Sequence, residues 1–402
     1  MIKFDYNTYV DKFITSSDIS LYDNRKEDAK KFFNLNGDMM GWLDINKLSL
    51  ITNEINETAS FIRNNCDVFI VIGIGGSYLG SSAVIEALSP YFYNNTKKPE
   101  IYFLGTSLST DYYHDLIQMI GDKNVIVNVV SKSGTTLETL VTYNLIMDFM
   151  KNKYDANELQ KRIIMTTDSE SGLLREDVNK YNYKSFVMPN NIGGRYSVFS
   201  PVGLLSIAVA GIDVNLLLEG AKASFKSFDD IYKYAVIRDI MFNRNKTVEA
   251  FVSYELKLNG LMEWLKQLFA ESLGKDGKGI LPISLINTRD LHSLGQFVQE
   301  GNKILFETVI NISNSDNNIN IEKYNKSLSE LNILASTATS VAHQNGDVLN
   351  NIITLDKLDT YNIGYLMQYF MISCAVHGYL MGVNPFDQNG VEEYKKVMRS
   401  YL

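Results

Sequence analysis

The sequence predicts an α/β protein built from two parallel-sheet domains. Short β-branched runs, apolar throughout, alternate with helical stretches from residue 67 onward. Strands without a polar face belong to a sheet covered on both sides. The alternation breaks at a polar, glycine-rich stretch, 189–201, and resumes at residue 248. A chain of 402 residues with 45% hydrophobic content has enough apolar surface for more than one core.

In chain order, residues 1–60 read as a polar helical segment punctuated by Gly37 and Gly41. Residues 61–200 form the first sheet domain, with strands at 67–72, 101–104, 124–130, 162–165 and 185–188 and a helix at Leu79–Leu88. Residues 201–402 form the second, with a helix at 202–212, a strand at 248–254, a helix at 261–273, strands at 280–286 and 304–310, and helices to the C-terminus. The asparagine-rich stretch 311–320 is expected to be an exposed loop. Residues 364–383 carry no formal charge and are long enough to span a bilayer. They also contain Gln368, Ser373, His377 and three glycines and stop at Asn384-Pro385, which predicts a helix buried inside a globular domain.

Charge and composition exclude several classes. The net charge is −8, and no long run of Lys and Arg offers a footprint for nucleic acid. Cys66 and Cys374 belong to no Cys-x-x-Cys pair, and His114, His292, His343 and His377 show no His-x-x-x-His spacing. Reduced, buried thiols and no metal site are the expectation. The N-terminus carries acids and has no continuous apolar run, so a secretory signal is not expected and a cytoplasmic location is.

Two loops carry chemistry. Gly73-Ile74-Gly75-Gly76-Ser77-Tyr78-Leu79-Gly80 lies between a strand and a helix, where glycines admit an anion to free backbone amides. Its spacing is not G-x-G-x-x-G, and the next strand ends in Leu104-Gly105-Thr106 with no acid for a ribose, which argues against a nicotinamide oxidoreductase. No Gly-Lys-Ser/Thr follows, so it is not a Walker loop. Alone, this loop reads equally well as a tight turn. Ser131-Lys132-Ser133-Gly134-Thr135-Thr136 is more specific: four hydroxyls and an ammonium stand at a strand end that opens a helix. A helix cap needs one such hydroxyl, whereas a phosphate monoester needs several donors. Both loops fall where ligands bind in a parallel α/β sheet. The second sheet domain has no comparable loop, so one phosphate site per subunit is expected.

Together these loops resemble the sugar isomerase (SIS) domain, a flavodoxin-like fold that binds phosphosugars. Three further segments are similar to the glucose-6-phosphate isomerase family in its compact bacterial form. They are Gly193-Gly194-Arg195-Tyr196-Ser197 through Gly203, Gln267-Leu268-Phe269-Ala270-Glu271-Ser272 followed by Gly274-Lys275-Asp276-Gly277-Lys278-Gly279, and Asn384-Pro385-Phe386-Asp387-Gln388 with Lys395. The resemblance runs from Gly73 to Lys395 and implies two SIS domains with an N-terminal helical segment and a C-terminal helical arm.

It also implies roles. Glu271 would be the base that lifts the proton from C2 of a hexose 6-phosphate and returns it to C1 through a cis-enediol; an ordinary carboxylate is ionised at neutral pH. Arg195 would stabilise the enediolate, and His292 and Lys395 would open the sugar ring. In the family this His comes from the neighbouring subunit, which implies a homodimer with shared active sites. Gln267 and Gln388 would bind sugar hydroxyls, while Ser77, Ser131, Ser133, Thr135 and Thr136, with Lys132, would hold the phosphate. Gly76, Tyr78 and Gly134 would line the same site. Tyr78 departs from the Asp of many relatives, and Gly134 from the aromatic of animal forms. No cofactor, metal, membrane or nucleic acid is implied. A related phosphosugar isomerase, or a non-catalytic phosphosugar-binding regulator, is the alternative; the regulator would have no use for Glu271, His292 and Lys395.

Overall fold

The computed structural model describes residues 2–5, 12–32, 38–317 and 319–401. Its strands are β1 (Ile2–Asp5), β2 (Val68–Ile72), β3 (Glu100–Leu104), β4 (Val125–Val130), β5 (Ile163–Thr167), β6 (Lys184–Val187), β7 (Val248–Ser253), β8 (Leu281–Ile286), β9 (Leu305–Asn314), β10 (Asn320–Ile321), β11 (Lys326–Ser327) and β12 (Asn350–Lys357). The chain divides into two compact units, Gly37–Leu218 and Met1–Asn36 with Glu219–Leu402.

In Gly37–Leu218 the sheet order is β3-β2-β4-β5-β6, and every pair is parallel. Counted by appearance this is 2-1-3-4-5, the flavodoxin-like order, with its reversal between β2 and β4. β2, β4 and β5 are buried along their whole length, which explains why they read as unbroken apolar runs. Val68, Ile70, Ile72, Val125, Val127 and Val129 pack against helices Thr110–Ile120, Leu137–Lys153 and Leu173–Tyr181 through Leu116, Ile146, Met150 and Leu174. A second layer holds helix Pro201–Val209, packed on Thr52–Asn65 and Leu79–Leu88. Ser200 accepts from Val202 N and Pro201 opens the first turn, so the helix starts at the end of the polar loop.

In the other unit, β8-β7-β9-β12 repeats the 2-1-3-4 order in parallel, and β1 closes the sheet antiparallel to β12. This corrects the helical expectation for the first residues. Ile2 pairs with Leu355 and Phe4 with Ile353, and Phe4 stacks on Tyr369 at 4.6 Å, so tertiary pairing creates the strand. A second correction concerns 311–320: β9 continues to Asn314, and Asn311 pairs with Thr354 of β12.

The uncharged stretch forms helix Thr360–Met381, buried on nearly all sides and packed against Phe228–Asn243 and Asn259–Leu273. Asp359 caps its start, and Gly382, at φ 70°, ends it. Among the described residues no helix is long and apolar enough to cross a membrane.

Under that helix lies a buried polar cluster. Glu249 accepts from Arg238 Nε, Tyr234 and Thr308, each at 2.7 Å, and Arg238 stacks over the Phe269 ring at 4.0 Å. Arg238 Nη1 lies 2.5 Å from His377 Nδ1. Burial, reinforced by the Arg238 charge, pushes the His377 imidazole down to about 4. Cys66 and Cys374 are buried and in no disulfide.

Candidate active site

Within Gly37–Leu218, the strands either side of the sheet reversal end in the two loops singled out above. β2 runs into Gly73, whose N–H donates to Leu104 O at 2.9 Å. A Cβ on Gly73 would lie 2.7 Å from the Ser77 side chain and 3.1 Å from Val130 O, so the glycine lets the first loop fold against the end of β4. A one-turn 3-10 segment, Gly75–Ser77, then leads into helix Leu79–Leu88. Gly76 touches backbone: a Cβ there would lie 2.1 Å from the Gly194 carbonyl carbon. Ser197 Oγ reinforces the junction by donating to Gly194 O at 2.6 Å. Arg195 is thus set beside the glycine loop, only 2% exposed, its guanidinium 5.6 Å from the Tyr196 ring, which itself stacks on Trp42. Ser77 and Tyr78 are half-buried, and Tyr78 leans towards Phe103 with ring centroids 6.0 Å apart.

β4 runs into Ser131, whose Oγ accepts from Gly134 N at 3.1 Å while Gly134 turns the chain at φ 71°. The Ser133 and Thr135 hydroxyls are 2.8 Å apart and exposed, as is Lys132. Thr136 is the cap residue of helix Leu137–Lys153, but its side chain makes no capping bond. The Thr136 hydroxyl is therefore not spent on capping, whereas Ser131 and Ser133 each accept from an amide of the loop itself. Two exposed hydroxyls and an ammonium stand at a helix N-terminus, where free amides and the macrodipole favour an anion.

A support missed in the sequence lies after β5. Leu173 N donates to Ser133 O at 3.3 Å, and a Cβ on Gly172 would lie 2.9 Å from that oxygen. Asp168 shapes this turn by accepting from Glu170 N and Ser171 N, which hold its carboxyl below the usual carboxylate range. The residues 168–172, Asp-Ser-Glu-Ser-Gly, were the available signal.

In the other unit, helix Asn259–Leu273 carries Gln267 and Glu271 one turn apart, and Gln267 Nε2 donates to Glu271 Oε2 at 3.0 Å. The loop beyond it reaches the C-terminal motif. Lys275 Nζ lies 2.6 Å from Asp387 Oδ1, donates to Asp387 O at 2.7 Å and also reaches Asn384 O. Lys278 Nζ donates to Met381 O at 2.9 Å. Two motifs far apart in sequence are thus tied together by lysines to which the sequence assigned no role, and they bring the segment of Gln388 to the end of the Glu271 helix. Gln388 is itself exposed. His292 is exposed at the end of the 3-10 turn Arg289–His292, which Asp290 anchors by accepting from Ile286 N at 2.7 Å. Lys395, on helix Gly390–Tyr401, pairs with Glu392 at 2.7 Å. Among the described residues there is no group of three His, Cys, Asp or Glu side chains that could hold a metal ion.

Comparison with known proteins places the chain among relatives. Residues 56–345 match the family described as phosphoglucose isomerase. The glucose-6-phosphate isomerase of Clostridioides difficile (strain 630) is 42% identical over 393 residues, covering 92% of this chain and 88% of that protein. The crystal structure of a hypothetical protein from Thermus thermophilus is 27% identical, with a TM-score of 0.90 over 100% of this chain and 99% of the other. A glucose-6-phosphate isomerase from Chlamydia trachomatis D/UW-3/Cx, 22% identical, shares the fold at a TM-score of 0.76, over 87% of this chain and 72% of that one. On the family match and the 42% identity, the chain belongs to the phosphoglucose isomerase family.

Proposed function

We infer that the chain catalyses the reversible isomerisation of glucose 6-phosphate and fructose 6-phosphate, by ring opening and proton transfer through a cis-enediol. The observation that carries this reading is the loop after β4, where Ser133 and Thr135 present exposed hydroxyls over a helix N-terminus beside Lys132. It suits a phosphate monoester, and family membership supplies the reaction.

The phosphate is held by Ser131, Ser133, Thr135 and Thr136, with Lys132 and Ser77, and Gly76, Tyr78 and Gly134 lie along the substrate. Binding so far from the reacting carbon supplies energy for positioning it. His292 and Lys395 carry the protons of ring opening. Glu271 then takes the C2 proton and returns it to C1, while a hydroxyl proton passes from O2 to O1 through the cis-enediol; in net balance the substrate's C1–C2 unit keeps both hydrogens, and nothing is oxidised outside the substrate. A carbon acid is far weaker than a carboxylic acid, so the developing oxyanion needs a donor. Arg195 fills that role, with an effect of about 3–4 kcal/mol for one well-placed donor. Gln267 and Gln388 bind sugar hydroxyls. His292 acts from a neighbouring subunit, so the working form is a homodimer, and its location is cytoplasmic.

The test is incubation of metal-stripped protein with glucose 6-phosphate in D2O, followed by NMR at C1 and C2. Formation of fructose 6-phosphate carrying solvent deuterium is the expected result. Binding without conversion identifies a phosphosugar-binding regulator instead, and inertness towards glucose 6-phosphate with turnover of an amino-sugar phosphate identifies a related isomerase.

A further inference from the structure

Glu271 sits in the last turn of helix Asn259–Leu273, the end at which the macrodipole disfavours a negative charge. Gln267, one turn earlier, donates Nε2–H to Glu271 Oε2 at 3.0 Å. That bond fixes which way the amide faces, because turning it over would set oxygen against oxygen. The other end of the amide, Oε1, is buried and has no hydrogen-bond partner among the described residues, so Gln267 is not a strut in a wider network. Leu268 and Phe269 beside it are fully buried, and Phe269 lies under the Arg238 guanidinium, which holds this stretch of helix in place.

We propose that Gln267 is a positioning residue for Glu271, its amide N–H holding the carboxylate plane in the orientation that takes the C2 proton and returns it to C1. This rests on the reading of Glu271 as the base. Any contact of Gln267 Oε1 with a sugar hydroxyl is separate from it and enters KM.

The test is a double-mutant cycle on kcat for glucose 6-phosphate isomerisation, with Gln267→Leu and Glu271→Gln. Glu271→Gln alone lowers kcat by at least ~100-fold, the scale of a general base. Gln267→Leu alone lowers kcat by about tenfold, the scale of one hydrogen bond to a charged group. Placed on top of Glu271→Gln, it lowers kcat no further, because the carboxylate it positions is gone. An equal loss in both backgrounds shows that Gln267 acts without Glu271 and overturns the proposal. Wild-type kcat in Glu271→Gln overturns the reading of the base itself, which separates the two failures. Gln267→Met, which keeps the side-chain length and removes the donor without adding charge, runs the same cycle if Gln267→Leu does not fold.

Discussion

Lys275 and Asp387 form an ion pair of 2.6 Å across 112 residues of sequence. The lysine side chain is only 15% exposed, and its ammonium also reaches backbone carbonyls of the 384–387 segment. A largely buried ammonium with several acceptors is a strong link, and removing it leaves those acceptors without their donor. Lys275→Met is therefore expected to lower unfolding free energy by about 2 kcal/mol in denaturant titrations. Amide exchange across 384–388 should accelerate in the same variant. A variant as stable as wild type, with unchanged exchange there, would show that the pair is only a surface contact.

The contact between Gly76 and Gly194 makes a sharper, asymmetric claim. A Cβ on Gly76 would lie 2.1 Å from the Gly194 carbonyl carbon, whereas a Cβ on Gly194 meets nothing nearer than Gly76 Cα at 3.7 Å. Backbone cannot yield as a side-chain end can. Gly76→Ala should lose about 2 kcal/mol of stability from overpacking, and activity should fall with it as the Arg195 loop is pushed away. Gly194→Ala should stay within about 1 kcal/mol of wild type, as most ordinary substitutions do. Equal effects at the two positions would contradict the geometry.

That contact also marks where sequence reading stops. β2, β4 and β5 were legible because each is apolar on both faces, and the ligand loops because their glycines and hydroxyls follow those strands directly. β12 was not legible: it opens with Asn350-Asn351 and closes with Asp356-Lys357, a polar signature, yet both asparagines are fully buried. β1 was missed because four residues carry no period and are made a strand by their partner. In the candidate site the residue types were visible one by one. The ties of Gly76 to Gly194 and of Lys275 to Asp387 join distant segments, and no local pattern encodes a tertiary contact.

His377 ties stability to pH. Its imidazole faces Arg238 at Nδ1, and Asp239 lies 3.7 Å from Nε2, with Glu249 beyond the guanidinium. Burial and Arg238 push it down to about 4, below the ordinary histidine value of 6.5. Between those two pH values the unfolded chain takes up a proton that the folded chain refuses. The stability present above pH 6.5 should thus fall as pH drops towards 4, by roughly 3 kcal/mol in all. His377→Asn removes this uptake, so its unfolding free energy should change less over the same window. An unchanged slope in the variant would place the proton uptake elsewhere.

The exposed position of His292 invites a test of its proposed action across a subunit boundary. Glu271→Gln and His292→Ala are each expected to be nearly inactive alone. If His292 acts on the site that holds the other subunit's Glu271, a mixed dimer pairs one intact Glu271 with one intact His292. That dimer has one working site of two. Unfolding the two variants together and refolding them at equal amounts makes half the dimers mixed, so activity should return to about one quarter of wild type. If His292 acts within its own chain, every site in every dimer lacks one of the two groups and refolding together restores nothing. Sedimentation of the refolded mixture as a dimer ensures that a null result speaks to the histidine and not to assembly.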